Sequence, residues 1–269
     1  MKRRLFLVIP APYFLASCAS LRPADAGEDM ARIRSALAPT GTLRIAGLNG
    51  APTSLVRDPV TGERRGVGFE IGVELAKRLG VPFEVLEFGA FPLVAEAIAS
   101  GRADFGAFNA ASERAKDVWV SKPLFLQESG YLVPSGSRIS DFTLADQSGM
   151  RIGVQQNSTS QRVLTALLKQ ASLVPVPNLQ NVPQMLTNGQ LDAFATNKGI
   201  LFDLSDRVPG SRVLTGSFTI ERQSVAVPKG REVATIFMER FLQEMTASGF
   251  VAESARRARA RGLIIPDAR

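Results

Sequence analysis

The chain has 269 residues, 45% of them hydrophobic and 21% charged, with 32 Lys+Arg against 25 Asp+Glu, a net charge of +7, no histidine and one cysteine. Without histidine there is no Ser-His-Asp or Cys-His nucleophile, no imidazole general base and no His-bound metal. A single cysteine excludes an intrachain disulfide and a Cys-based zinc site. The composition suits one large or two medium folded domains, and an enzyme built on it would have to run on carboxylates, Lys, Arg or Ser.

Met1-Lys2-Arg3-Arg4 is followed by a mostly apolar run over 5–17 that Pro10 and Pro12 interrupt. That run is too short to span a bilayer and reads as an export signal. It ends in Leu15-Ala16-Ser17-Cys18, which resembles a bacterial lipoprotein lipobox, where the cysteine is lipidated and becomes the new N-terminus. Arg3-Arg4-Leu5-Phe6-Leu7 also resembles a twin-arginine signal. The expectation is export to the periplasm, removal of residues 1–17 and anchoring to a membrane through lipidated Cys18. A plain secretory peptide with Cys18 near the cut is the alternative. Ala19 in place of an Asp favours outer-membrane sorting in a Gram-negative host. Cleavage removes Lys2, Arg3 and Arg4 and no acid, which lowers the net charge from +7 to +4. Residues 18–40 read as a tether with a short helix.

From Gly41 onward the pattern alternates strand and helix, and does so twice. The first copy predicts a strand over 43–48, a helix over 69–79 with Ile71, Leu75 and Leu79 on one face, a strand over 83–88, a helix over 91–100 and a strand over 103–108. The second predicts a strand over 150–154, a helix over 160–170, a strand over 173–176, a short helix over 182–187 and a strand over 191–195. The copies agree in residues as well. Gly101-Arg102-Ala103-Asp104 and Gly189-Gln190-Leu191-Asp192 are each a glycine helix stop, a spacer, an apolar residue and an Asp entering a strand. Asp104 and Asp192 read as turn residues rather than a catalytic pair, because α/β sheets bind ligands at the opposite, C-terminal ends of their strands. Two such units imply two parallel-sheet lobes around a cleft, lobe 1 over 41–131 plus 227–269 and lobe 2 over 132–226. The joints are expected near 131–134 and 224–228, with a helical return to lobe 1 over 232–261, and a double crossover makes a hinge.

These stretches resemble a family 3 extracellular solute-binding protein, the amino-acid-type periplasmic binding protein of an ABC importer, over about residues 40–262. The matching pieces are Gly41-Thr42-Leu43-Arg44-Ile45, Gly68-Phe69-Glu70, Gly101-Arg102-Ala103-Asp104 and Ser112-Glu113-Arg114-Ala115-Lys116. They continue with Ser121-Lys122-Pro123-Leu124, Arg151-Ile152-Gly153-Val154-Gln155, Gly189-Gln190-Leu191-Asp192-Ala193 and Ala247-Ser248-Gly249-Phe250. The resemblance implies an α/β, two-lobed, type II periplasmic binding protein-like fold with an interlobe ligand cleft. It also implies a monomeric binder rather than an enzyme, with no cofactor or metal, a small carboxylate ligand, and ABC permease subunits as partners.

In that family's amino-acid binders an Arg in a T-P-E-R-A-type motif clamps the ligand's α-carboxylate. The matching residue is Arg114, whose planar fork suits a carboxylate. Asn109 stands where a Thr or Ser hydroxyl usually meets the same carboxylate. The second-lobe carboxylate site, usually Gly-Thr-Thr, reads Asn157-Ser158-Thr159-Ser160; helix N-terminal amides and the Thr159 hydroxyl can bind an anion together, while Ser158 or Ser160 caps the helix. Two departures stand out. Asn197, beside Lys198, replaces the acid that usually meets the ligand's ammonium. The usual aromatic cover is missing from Asn49-Gly50-Ala51-Pro52-Thr53, which leaves Asn49 at the ligand and Phe91 or Phe69 as apolar wall. The expected ligand is therefore a carboxylate without a strongly held α-ammonium, such as an organic acid or a modified amino acid.

Two rival readings share the fold: a periplasmic ligand sensor without a transport role, and a dehydratase that uses a cleft carboxylate. Glu70, Glu113, Glu128 and Glu221 are the carboxylates near the expected cleft, and none is paired as acid and base. The basic run Arg256-Arg257-Ala258-Arg259-Ala260-Arg261 lacks aromatic interleaving and reads as a solvated helix face, so no nucleic-acid partner is expected.

Overall fold

The computed structural model describes residues 23–265 apart from 59 and 111; the export signal and Cys18 lie outside the described residues. Helix α1 (Pro23–Leu37) leads to β1 (Leu43–Leu48), the small hairpin β2 (Val56–Arg57) and β3 (Arg64–Arg65), α2 (Val67–Leu79), β4 (Phe83–Phe88), α3 (Phe91–Ala99), β5 (Phe105–Asn109) and β6 (Val118–Val120). The face of α2 read from the sequence, Ile71, Leu75 and Leu79, is the buried one, and the helix ends on Gly80 at φ 66, a left-handed cap that favours glycine. Its first turn lies directly on β5: a Cβ on Gly68 would come within 2.7 Å of the Ala107 Cβ.

Strand β7 (Phe125–Val133) crosses to the second lobe. That lobe holds β8 (Arg151–Gln155), α4 (Thr159–Leu167), β9 (Ser172–Val176), α5 (Val182–Thr187), β10 (Ala193–Asn197), α6 (Lys198–Ser205) and β11 (Arg212–Val213). Strand β12 (Thr219–Pro228) returns, followed by α7 (Thr235–Ala247), α8 (Phe250–Arg257) and β13 (Leu263–Ile264). Gly249, at φ 76, divides the C-terminal helical stretch into α7 and α8.

The strand order β4-β1-β5-β12-β7-β10-β8-β9 reads alike from both ends. Parallel β4, β1 and β5 are followed by antiparallel β12; parallel β9, β8 and β10 are followed by antiparallel β7. The two antiparallel strands also pair with each other, residues 125–129 against 219–223. Both crossovers therefore run side by side as one short ladder. Beyond it each strand belongs to a single lobe, Tyr131 pairing with Ala195 and Ser224 with Phe108. Leu43, Ile45, Leu75, Phe105, Met238 and Phe241 share one core cluster, and Tyr131, Ile152, Val154, Leu164 and Ala195 share another. The lobes thus have separate cores, and α7 and α8 pack on the first.

The repeated aspartates carry the same duty in each lobe. The Asp104 carboxylate accepts hydrogen bonds from the Arg44 backbone N (3.0 Å), Nε (2.8 Å) and Nη2 (2.8 Å). Asp192 accepts from the same three groups of Arg151 at 2.8, 3.0 and 3.0 Å. Each aspartate ties the start of one strand to the start of its neighbour, at the end of the sheet away from the strands' C-termini. The two sites differ in burial: the Asp104 side chain is fully buried and also accepts from Arg231 Nη2 at 2.8 Å, whereas that of Asp192 is 28% exposed. Asp104→Asn leaves two guanidinium groups short of an anion and should cost about 3–5 kcal/mol in urea denaturation. Asp192→Asn, more solvated, should cost about 1 kcal/mol or less. Equal losses would contradict this assignment.

Candidate functional site

The parallel strands of each lobe end at the crossover ladder and deliver Leu48 from β1, Asn109 from β5, Gln155 from β8 and Asn197 from β10 to a single chamber between the lobes. This is the C-terminal strand edge, where α/β sheets place ligands. Phe91 at the start of α3 and Ser158 to Ser160 at the start of α4 form the walls, and Glu221 and Gln223 of β12 form the floor. The chamber has a volume of about 70 Å³ and shares Phe91, Ser158 and Thr159 with a more open outer cavity of about 410 Å³. The lobes touch across the chamber, Asn109 Nδ2 donating to Thr159 Oγ1 at 3.3 Å.

A chain of side-chain hydrogen bonds runs along the floor. Asn197 Oδ1 accepts from Gln127 Nε2 (3.1 Å), and Gln127 Oε1 accepts from Gln223 Nε2 (3.2 Å). Glu221 Oε2 accepts from Gln223 Nε2 (3.3 Å) and Asn109 Nδ2 (2.8 Å), and Oε1 accepts from Ser129 Oγ (3.0 Å). Glu221 is 9% exposed. Burial pushes its carboxyl above the ordinary range, against the hydrogen bonds from Ser129, Asn109 and Gln223 and the positive charge of Arg162. No described lysine or arginine lines the chamber. Gln155 lines the chamber, and its buried Nε2 lacks a hydrogen-bond partner among the described residues, an unsatisfied donor of the kind native folds rarely leave.

The residues singled out from the sequence divide between chamber, mouth and neither. Asn109, Ser158, Thr159, Asn197 and Phe91 line the chamber. Ser158 caps α4, its Oγ accepting from Gln161 N at 3.1 Å, so the first-turn amides that no helix can satisfy face the cavities. Phe91 packs edge-on against Phe108, 5.3 Å between ring centroids. Arg114 and Asn157 line the outer cavity, with Arg114 exposed on a short 3₁₀ turn (Glu113–Asp117) whose Ser112 cap holds its backbone N. Asn49 lies in a separate cavity, with Asn178 and Arg207, and Phe69 packs against Phe83 rather than in the cleft. Asn197 caps α6 by accepting from Ile200 N at 3.0 Å, and Lys198 turns away to pair with Glu128 at 2.6 Å.

Residues 43–258 match the model of the Bacterial extracellular solute-binding proteins, family 3. The chain belongs to that family. It is 24% identical over 198 residues to the ABC transporter glutamine-binding protein of Bacillus subtilis (strain 168), covering 72% of each chain. It superposes with a TM-score of 0.75 on a Streptococcus pneumoniae amino acid ABC transporter substrate-binding protein bound to L-arginine, at 20% identity over 87% of this chain and 99% of that one. It also superposes, with a TM-score of 0.72 and 22% identity, on AncCDT-1, an ancestral amino-acid-binding protein and precursor of cyclohexadienyl dehydratase, over 83% and 98% of the two chains. The structural likeness confirms the two-lobed type II binding-protein fold.

Of the four carboxylates marked in this family member, Glu70 pairs with Arg257, Glu128 with Lys198, and Glu113 faces Arg162 at 3.9 Å outside the chamber. Glu221 alone of the four reaches the inside. Sequence reasoning gave no role to Gln127, Ser129, Gln155 or Gln223. The available signal was alternation in β12: Ile220 and Arg222 point outward while Glu221 and Gln223 point inward, the reverse of an apolar-in pattern.

Because the folded protein holds the Glu221 proton more tightly than the unfolded chain, this group's contribution is most favourable below the unfolded carboxylate range. It is lost as pH rises through the raised folded value. Glu221→Gln removes the titration. In ligand-free thermal melts between about pH 4 and pH 8, the variant should gain on the wild type as pH rises, by on the order of 1–3 kcal/mol at the upper end. A constant difference across that range would contradict the assignment.

Proposed function

We propose that the protein is the solute-binding component of an ABC importer. It holds a small carboxylate-bearing solute between its lobes and hands it to a membrane permease. The observation that carries this reading is the convergence of both lobes on one chamber at the strands' C-terminal edge. There the buried Gln155 amide lacks an acceptor and the first turn of α4 presents its amides. The glutamine-binding relative and the arginine-bound structure support an amino acid or close analogue as the solute.

The carboxylate belongs at the boundary of chamber and outer cavity. Thr159 and Ser158 line both spaces, and Arg114 lines the outer cavity from the first lobe. A solute held there is gripped from both sides and favours the closed arrangement by its differential affinity. Cys18 tethers the binder to the membrane and keeps it near its permease.

Isothermal titration against a panel of amino acids, dicarboxylates and aromatic acids tests the reading, with at least one member expected to bind. Arg114→Ala should weaken that member by roughly 10- to 100-fold, the worth of a charge-assisted hydrogen bond. Unchanged affinity would remove Arg114 from the site. Cell fractionation of Cys18→Ser should move the protein from the membrane to the soluble fraction, and continued membrane association would rule out the lipid anchor.

A further inference from the structure

We infer that Arg261 is an interlobe latch, a positioning residue that holds the two lobes in the closed arrangement from outside the chamber. It does not line the chamber, and only its consequence for solute affinity rests on the solute-binding reading above.

The basic run from Arg256 to Arg261, expected to be one solvated helix face, divides in the structure. Helix α8 ends at Arg257. Arg256 pairs with Glu253 on its own helix and Arg257 with Glu70 of α2, both within the first lobe. Arg261 lies beyond the helix and reaches the second lobe. Its Nη2 donates to Asp206 Oδ2 at 2.6 Å and to Asp203 Oδ1 at 3.0 Å, and its Nη1 donates to Asp206 Oδ1 at 3.3 Å. Its guanidinium carbon stands 5.2 Å from the centre of the Phe202 ring. Phe202 and Asp203 belong to α6 and Asp206 caps it, so every contact of this side chain falls on one helix of the other lobe.

The ends of the tie are fixed to different cores. Ala260, Leu263 and Ile265 pack against the first lobe's core, and β13 pairs with Leu126 and Gln127 of the hinge strand β7. Opposite them, Ile200, Leu201 and Leu204 of α6 are buried in the second lobe. The chain comes close at the pivot: Gly262 sits at φ 69, and a Cβ there would lie 2.8 Å from the Lys198 Cβ. Away from the pivot the gap is unfilled. An open cavity of about 780 Å³ lies between Val56 and Arg57 of the first lobe and Gln180 and Arg207 of the second, and the Arg261 tie lines it. That cavity shares Gly50, Gln180, Asp203 and Arg207 with the one that holds Asn49, which in turn shares Ile200 with the chamber. The tie therefore spans the flank of the same cleft, and opening the cleft draws α6 away from Arg261. One exposed ion pair contributes little. A planar guanidinium shared by two carboxylates and an aromatic face contributes more, and an equilibrium near balance responds to a few-fold bias.

The test reads lobe separation without any solute. Spin labels are placed at Lys116→Cys on the Glu113–Asp117 turn and at Ala166→Cys on α4, in a Cys18→Ser background. The protein is unfolded, desalted and refolded to remove retained solute. Pulsed electron–electron distance measurements should then show a short-distance, closed population. Arg261→Ala should lower the closed-to-open ratio by about 5- to 10-fold, and Asp203→Asn with Asp206→Asn should do the same. Arg261→Lys should keep part of the bias. Joining Arg261→Ala to the two Asn substitutions should lower the ratio no further, because one interaction cannot be lost twice. A solute-free protein that is open throughout, a ratio that Arg261→Ala leaves unchanged, or additive losses would overturn the latch and leave solute binding standing. A latch that holds in a protein binding no member of the titration panel supports this inference and removes the solute-binding reading alone.

Discussion

The constraint on which the molecule depends is the pairing of its two crossover strands. Residues 125–129 and 219–223 form a short antiparallel ladder that closes each lobe's sheet and joins the two sheets. A hinge made of two adjacent strands can flex, but it cannot be filled with apolar side chains without welding the lobes together. Apart from Phe125, which joins the first lobe's core, the inward positions of the ladder are polar: Gln127 and Ser129 on β7, Glu221 and Gln223 on β12. Buried polar groups need partners, and these satisfy one another through a chain that begins at the α6 cap and ends at the α4 N-terminus. The hinge and the cleft floor are therefore one hydrogen-bonded object.

Around that object the two lobes repeat one plan. Each has its own core, its own parallel strand order and its own Asp-to-Arg tie at the strand starts. In each lobe an ion pair occupies the strand starts, and the strand ends face the chamber. The charge in the chamber follows the same division of labour. A lone buried carboxylate works against the empty fold, a cost natural proteins accept at functional sites.

The lobes were legible because their signals are local. Spacing of four in α2, a glycine stop before each repeated Asp, and short apolar strands each report on a few neighbouring residues. The reading of Asp104 and Asp192 as turn residues follows from their place at strand starts, and both anchor those starts. The site was legible only in part. Asn109, Ser158, Thr159, Asn197 and Phe91 converge because each stands at a strand end or helix start, which a sequence marks. Glu221 was counted among four carboxylates without distinction, because which face of a crossover strand is buried depends on pairing across some 90 residues. Its neighbour Ile220, half exposed, points the wrong way for a hydrophobicity argument. Asn49 follows β1 much as Asn109 ends β5, yet it lines a separate cavity with Asn178 and Arg207.

The central claim of the proposed function is that a small carboxylate-bearing solute lies between the lobes, beside the α4 N-terminus. Native mass spectrometry of the freshly purified protein tests it most directly. The predicted result is a single bound solute, released on denaturation, whose composition contains a carboxyl group. A retained solute with no carboxyl group would contradict the account.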